Sequence, residues 1–187
     1  ATETDNAALL GVAVAAADAR RRASGKSVSD FTPHFITTSI EHEAVLVPAK
    51  KLESMGWRVT YLDPDKQGFV SVDSLQTALN DETVMVSVQM ANSEVGSIQP
   101  IAELAGAAHA KGALFHTDAT QALGKTLVDV RALGVDAASF SAHKICGPKG
   151  VGALYLKART PMSEFLGGGG QEEGRRSGTQ NVCGIVG

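Results

Sequence analysis

The stretch Ala113-Leu114-Phe115-His116-Thr117-Asp118-Ala119-Thr120-Gln121 begins as a short apolar run after Lys111-Gly112 and ends in a carboxylate, a hydroxyl and an amide. An apolar run of this length, bounded by a turn signal and delivering polar groups at its carboxyl end, reads as a buried strand, Ala113 to His116, of a parallel sheet. Working upstream, Ile101 to Ala110 reads as a helix, and Thr83 to Gln89 as another strand. The short amphipathic helix at Val72, Leu75, Ala78 and Leu79 precedes that strand. Before it come the turn cluster Asp63 to Gly68, a strand Trp57 to Leu62, and a helix Ala44 to Met55 with Pro48 placed in its first turn. His34 to Thr38 reads as a strand, and Asp5 to Ala23 as an Ala-rich helix stopped by Ser24-Gly25. Downstream, a short helix is expected near Val130, then strands Asp136 to Phe140 and Gly152 to Leu156, the last two close enough for a hairpin. Strands alternating with helices imply an α/β fold, a mostly parallel sheet with helices on both faces.

Composition narrows what such a domain does. The chain has 187 residues, 43% hydrophobic and 20% charged, with a net charge of -3, which fits one globular domain. Basic and acidic residues are interspersed, and the tight cluster Arg20-Arg21-Arg22 lies at a helix end, where it complements the dipole. No nucleic-acid surface is indicated. The low-polarity stretch Ala7 to Ala17 covers 11 residues, short of the roughly 18 that a membrane span needs. The two cysteines, Cys146 and Cys183, are too few and too far apart for a disulfide framework or a metal knuckle, which points to a reducing cytoplasm. Both are read as small buried residues.

In open α/β sheets, ligands collect beyond the carboxyl ends of the strands. There stand Ile40-Glu41-His42-Glu43, Met90-Ala91-Asn92-Ser93-Glu94, Thr117 to Gln121 and Ser141-Ala142-His143-Lys144. A lysine just past a buried strand, partly desolvated, offers a neutral amine for imine formation with an aldehyde; a solvated loop lysine is the plainer alternative. Asp118 suits a cationic partner such as a protonated pyridine nitrogen, or caps the following segment in a box with Gln121. A phosphate would need hydroxyls, imidazole and backbone N–H groups. Ala1, Thr2, Ser141, His143 and the stretch Arg176-Ser177-Gly178-Thr179 supply these. His42 suits stacking on a planar ring, whereas His34, His109 and His116 have no closely spaced metal-ligand partners and take surface or core roles. No dinucleotide fingerprint, P-loop or metal site is present.

These pieces, with Ala1 to Asn6, Asn92 to Gly96, Ser139 to Lys144, Gly147-Pro148-Lys149-Gly150, Gly168 to Glu172 and Arg176 to Thr179 in this order, resemble the pyridoxal-phosphate cysteine desulfurases. Selenocysteine lyases of the same class V aminotransferase group are similar. The resemblance implies the large cofactor-binding domain of a fold type I transferase and pyridoxal 5'-phosphate as cofactor. It makes Lys144 the Schiff-base lysine, Asp118 the pyridine-nitrogen partner, and His42 the stacking residue that assists proton transfer. Gln121 and Asn92 would contact the cofactor's phenolic oxygen or the substrate. Thr2, Ser141 and His143 would hold the phosphate, joined by Thr179 from the neighbouring subunit of a homodimer. The implied substrate is L-cysteine, converted to L-alanine with an enzyme persulfide that a protein sulfur acceptor receives, as in iron-sulfur cluster assembly. Selenocysteine lyase, another class V enzyme and a non-catalytic dimerisation scaffold are the alternatives. Residues 1–187 are expected to lack an N-terminal segment and a C-terminal small domain, and to end before the family's nucleophilic cysteine, on a loop well downstream of Arg176-Ser177-Gly178-Thr179, and before its substrate-carboxylate arginine.

Overall fold

The computed structural model describes residues 1–187. The chain opens with α1 (Thr2–Asn6), which runs through a π-helical stretch (Ala7–Val12) into α2 (Ala13–Ser24). Gly25 ends it at φ 68, a left-handed position suited to glycine. Then follow β1 (His34–Thr38), α3 (Glu43–Ser54), β2 (Arg58–Leu62), α4 (Val72–Ala78), β3 (Thr83–Ser87), α5 (Ile101–Ala110) and β4 (Leu114–Asp118). β5 (Ala137–Ser141), β6 (Gly152–Leu156) and α6 (Val182–Val186) complete the set, with single 3-10 turns at Ala142–Ile145 and Glu172–Gly174.

The sheet has six strands in the order β2-β1-β3-β4-β5-β6. Every pair from β2 to β5 is parallel, and β6 returns antiparallel to β5 as a hairpin. Because side chains alternate along a strand, each face has its own core. Ile36, Val86 and Phe115 turn to α4 and α5, where Leu75, Ile101, Leu104 and Ala108 cover them. Phe35 and Met85 turn the other way, beneath Leu9, Val12, Val45, Ala49 and Leu52 of the first helices and α3. Each large apolar side chain buried this way contributes about 1.5–3 kcal/mol, so helices on both faces are what the near-continuous apolar strands require.

Several expectations need correction. The segment near Val130 forms turns rather than a helix, with the Asp129 carboxylate accepting from Arg131 N and Ala132 N and so diverting the backbone. Pro48 lies beyond the first turn of α3. It is tolerated there at the cost of one main-chain hydrogen bond, since it lacks the N–H. The first helix begins at Thr2 with Ala1 as its cap and no side-chain capping bond. Asp118 and Gln121 form no capping box: the Asp118 carboxylate accepts from Thr120 N within a turn, and Gln121 Oε1 accepts from Lys125 Nζ at 2.7 Å. Both cysteines are exposed rather than buried. Cys146 closes the 3-10 turn in a left-handed conformation at φ 65, and Cys183 lies in the terminal helix.

Candidate active site

On the face covered by α1 to α3, the sheet changes chemistry along its length. Its amino-terminal half presents Phe35 and Met85; its carboxyl half presents Ser87, His116, Asp118, Ser139 and Ser141, since strand neighbours two apart share a face. His116, paired in register with Ser87, is fully buried between two hydroxyls, Ser87 Oγ at 2.8 Å from Nδ1 and Ser139 Oγ at 2.9 Å from Nε2. Burial pushes the imidazole down to about 4, so it is neutral at physiological pH and belongs to the core, as expected of it. Asp118, two residues on, is 8% exposed. One carboxylate oxygen accepts from Thr120 N at 2.9 Å and the other makes no hydrogen bond within the chain.

β1 has β2 on one side and β3 on the other, so its carboxyl end adjoins the point where the chain reverses direction across the sheet. His42 stands there, exposed, with Nδ1 accepting from Ala44 N at 3.1 Å as the N-cap of α3. Glu41, beside it, turns inward and accepts from Thr38 Oγ1 and Gln89 N, both at 2.8 Å. Its second oxygen is buried without a partner, and burial pushes the carboxyl up to about 8, a neutral acid. Asn92 donates to Ile40 O and accepts from Glu94 N and Val95 N, which ties the loop after β3 to the turn after β1. One of its N–H groups remains for a ligand.

Beyond β5, Ser141 Oγ lies 2.8 Å from His143 Nδ1. His143 and Lys144 are both exposed on the 3-10 turn. The partly desolvated lysine expected from its place after a buried strand is therefore not found; a four-residue turn lifts the amine out of the sheet. An open cleft of about 690 Å³ runs from here between the start of α1 and the C-terminal loops, lined among others by Ala1, Thr2, Ser141, His143, Arg176 and Thr179. Arg176 pairs with Glu3 across it at 2.5 Å, which raises the guanidinium's affinity for its proton. Gly152 forms part of the wall: a Cβ there would stand 2.6 Å from Phe140 O, so only glycine lets β6 close on β5. Thr179 lines the same cleft as Thr2 within one chain, whereas the resemblance places it in a neighbouring subunit.

The donors present fit a phosphorylated pyridine aldehyde. Asp118 keeps one carboxylate oxygen for a protonated ring nitrogen and Gln121 keeps its amide nitrogen, while Thr2, Ser141, His143 and Thr179 line the cleft; Asp118, Gln121, His42, Asn92 and Lys144 stand outside that lining. The motif reading did not single out Asp5 or Ser139 for the site. The alternation along β4 and β5 signals Ser139, because it is in register with Asp118; Asp5 has no such signal, since only the tertiary fold brings α1 over the sheet.

The aminotransferase class-V family model matches residues 24–187. Over its whole length the chain is 46% identical to a cysteine desulfurase IscS of Clostridium botulinum and 47% identical to one of Methanosarcina thermophila, covering 44% and 43% of those proteins. The chain thus spans less than half the length of these curated relatives. Among solved structures, a NifS-like protein superposes with a TM-score of 0.87 at 41% identity, over 99% of this chain and 48% of the other. DndA from Streptomyces lividans gives 0.84 at 38% identity, over 99% of this chain and 50% of the other. The chain belongs to the aminotransferase class-V family, whose members depend on pyridoxal phosphate.

Proposed function

We propose that residues 1–187 form the cofactor-binding large domain of a cysteine desulfurase. The observation that carries the reading is the placement of Asp118 and Lys144 at the carboxyl ends of adjacent strands: Asp118 is in register with Ser139 of β5, and Lys144 follows five residues later on the turn that β5 feeds. Bound pyridoxal phosphate would supply an electron sink for carbanion chemistry at an amino acid's α-carbon. The chain's own residues then divide the work. Asp118 holds the proton on the ring nitrogen, and Lys144 supplies the primary amine for the aldehyde. His42, fixed by its capping bond to Ala44 N, covers the ring and moves a proton through Nε2. Thr2, Ser141, His143 and Ala1 form the phosphate seat, with Thr179 joining from this chain or from the partner of a homodimer. Gln121 and Asn92 each offer an uncommitted amide N–H to the ring oxygen or the substrate.

The substrate on this reading is L-cysteine, the activity that the relatives' names give, the product is L-alanine, and the sulfur leaves as a persulfide to a protein acceptor in the cytoplasm, as in iron-sulfur assembly. The curated relatives named cysteine desulfurase support sulfur over selenium. The nucleophile is assigned to the remainder of a longer protein, not to Cys146 or Cys183. Full-length protein carrying this chain, loaded with pyridoxal phosphate and given L-cysteine, is expected to form alanine and persulfide in equal amounts, with Cys146→Ser and Cys183→Ser unchanged. Alanine without persulfide, or selenide release far exceeding sulfide from the matched substrates, overturns the reading.

A further inference from the structure

Asp5 is a fully buried acid on the sheet side of the first helix. It lies on α1 with no exposed surface, and neither carboxylate oxygen has a hydrogen-bond partner. His116 Nε2 lies 3.8 Å from its Oδ1, and both nitrogens of that ring are already engaged by Ser87 and Ser139. A buried ion pair needs close, hydrogen-bonded contact to repay the desolvation of both ions, and this contact is neither. A neutral acid beside a neutral imidazole avoids that cost.

Asp118 stands on the same face as His116, two residues along β4. Two carboxylates in one dry neighbourhood do not both ionise cheaply. The surroundings decide which one holds the proton: Asp118 has the Thr120 N–H and contact with solvent, and Asp5 has neither. Burial first, and then the Asp118 charge, push Asp5 up to about 7, against a smaller opposing pull from the Ser139 hydroxyl. Glu41, from the turn before α3, faces the same region and is itself a neutral acid. These, with His116, are the titratable groups around Asp5.

We propose that Asp5 is a positioning residue for Asp118, a protonated acid beneath the strand mouth that leaves Asp118 as the single anion facing the ring nitrogen. The proposal deepens the cofactor reading above and rests on it for the role of Asp118, but the protonation of Asp5 is measurable without cofactor. Thermal melts of the full-length apoprotein from pH 5 to 9 compare wild type, Asp5→Asn and Asp5→Ala. A neutral Asp5 loses its stabilising proton as pH rises through about 7. Asn, which mimics the neutral acid, is therefore expected to melt several degrees above wild type at pH 8.5 and near it at pH 5, while Ala melts below Asn throughout.

An Asn variant less stable than wild type at pH 8.5 overturns the proposal, for it would mean an Asp5 anion paired with a His116 cation. Nitrogen NMR of wild-type His116 needs no variant: neutral imidazole at pH 7 is expected, and imidazolium contradicts the proposal. In the loaded protein, the visible absorbance of bound pyridoxal phosphate is expected to show a step near pH 7 that Asp5→Asn lacks. Identical steps in both proteins overturn the positioning role. A wild type without any bound-cofactor band overturns the cofactor reading and the positioning role together, and the melts still decide the protonation of Asp5.

Discussion

Asp118 ends one strand and Lys144 follows its neighbour, yet the first is 8% exposed and held by Thr120 N–H, while the second stands in solvent with its amine unbonded. Strand pairing fixes the inner end of the site before any ligand arrives: β3, β4 and β5 bring Ser87, His116 and Ser139 into one buried chain, and Asp118 extends from it. The outer end depends on a short turn, a cleft and a surface ion pair. A parallel sheet therefore positions a charge partner with its own hydrogen bonds, whereas desolvating the amine takes other groups, the bound cofactor among them.

The contrast can be broken most severely at its inner end. Asp118→Ala removes a charged hydrogen-bond acceptor worth about 1.5–3 kcal/mol, so cofactor affinity, followed by titration of the visible band, is expected to fall about 10- to 100-fold. Undiminished affinity would place the ring elsewhere. Next in size is Glu41→Ala, which strips the buried Gln89 N–H of its acceptor and is expected to cost about 1–3 kcal/mol in chemical denaturation. Glu41→Gln keeps the acceptor. Because the folded carboxyl is raised to about 8, its stabilising proton is lost as pH rises through that value; the Gln variant gains on wild type between pH 6 and 9. A gap independent of pH would show Glu41 to be ionised.

A smaller effect separates two roles of one side chain. His42→Ala loses the cap of α3, about 1 kcal/mol, and also the ring's cover. His42→Ser is expected to recover the stability, read by melting, but not the wild-type cofactor spectrum. Recovery of both would reduce His42 to a cap. Least affected is the rim: Glu3→Ala breaks the Arg176 pair, and the melting temperature is expected to stay within error because exposed pairs contribute little. A loss of several degrees would make the rim as fixed as the inner end.

The inner framework was more legible in the sequence than the surroundings of the site. His34 to Thr38, Ile101 to Ala110 and Gly152 to Leu156 fall where periodicity and turn residues place them, because local pattern and burial agree there. The polar groups after each strand were legible for the same reason, as loops beyond parallel strands converge. The exposure of Lys144 and of both cysteines was not, since burial at a strand end depends on what packs over it. Asp129 turned a weak helical pattern near Val130 into turns by bonding its own backbone. The buried Asp5 was missed because helical spacing gives no sign of which polar residue faces the sheet.

On the proposed function, the amine of Lys144 and the carboxylate of Asp118 serve one bound ring. Borohydride reduction of the full-length protein loaded with pyridoxal phosphate, followed by peptide mass spectrometry, tests it most directly. A single phosphopyridoxyl adduct on Lys144 is expected, absent from Lys144→Ala and reduced in Asp118→Ala at limiting cofactor. An adduct on Lys149 or Lys125, or labelling spread over many lysines, would contradict it.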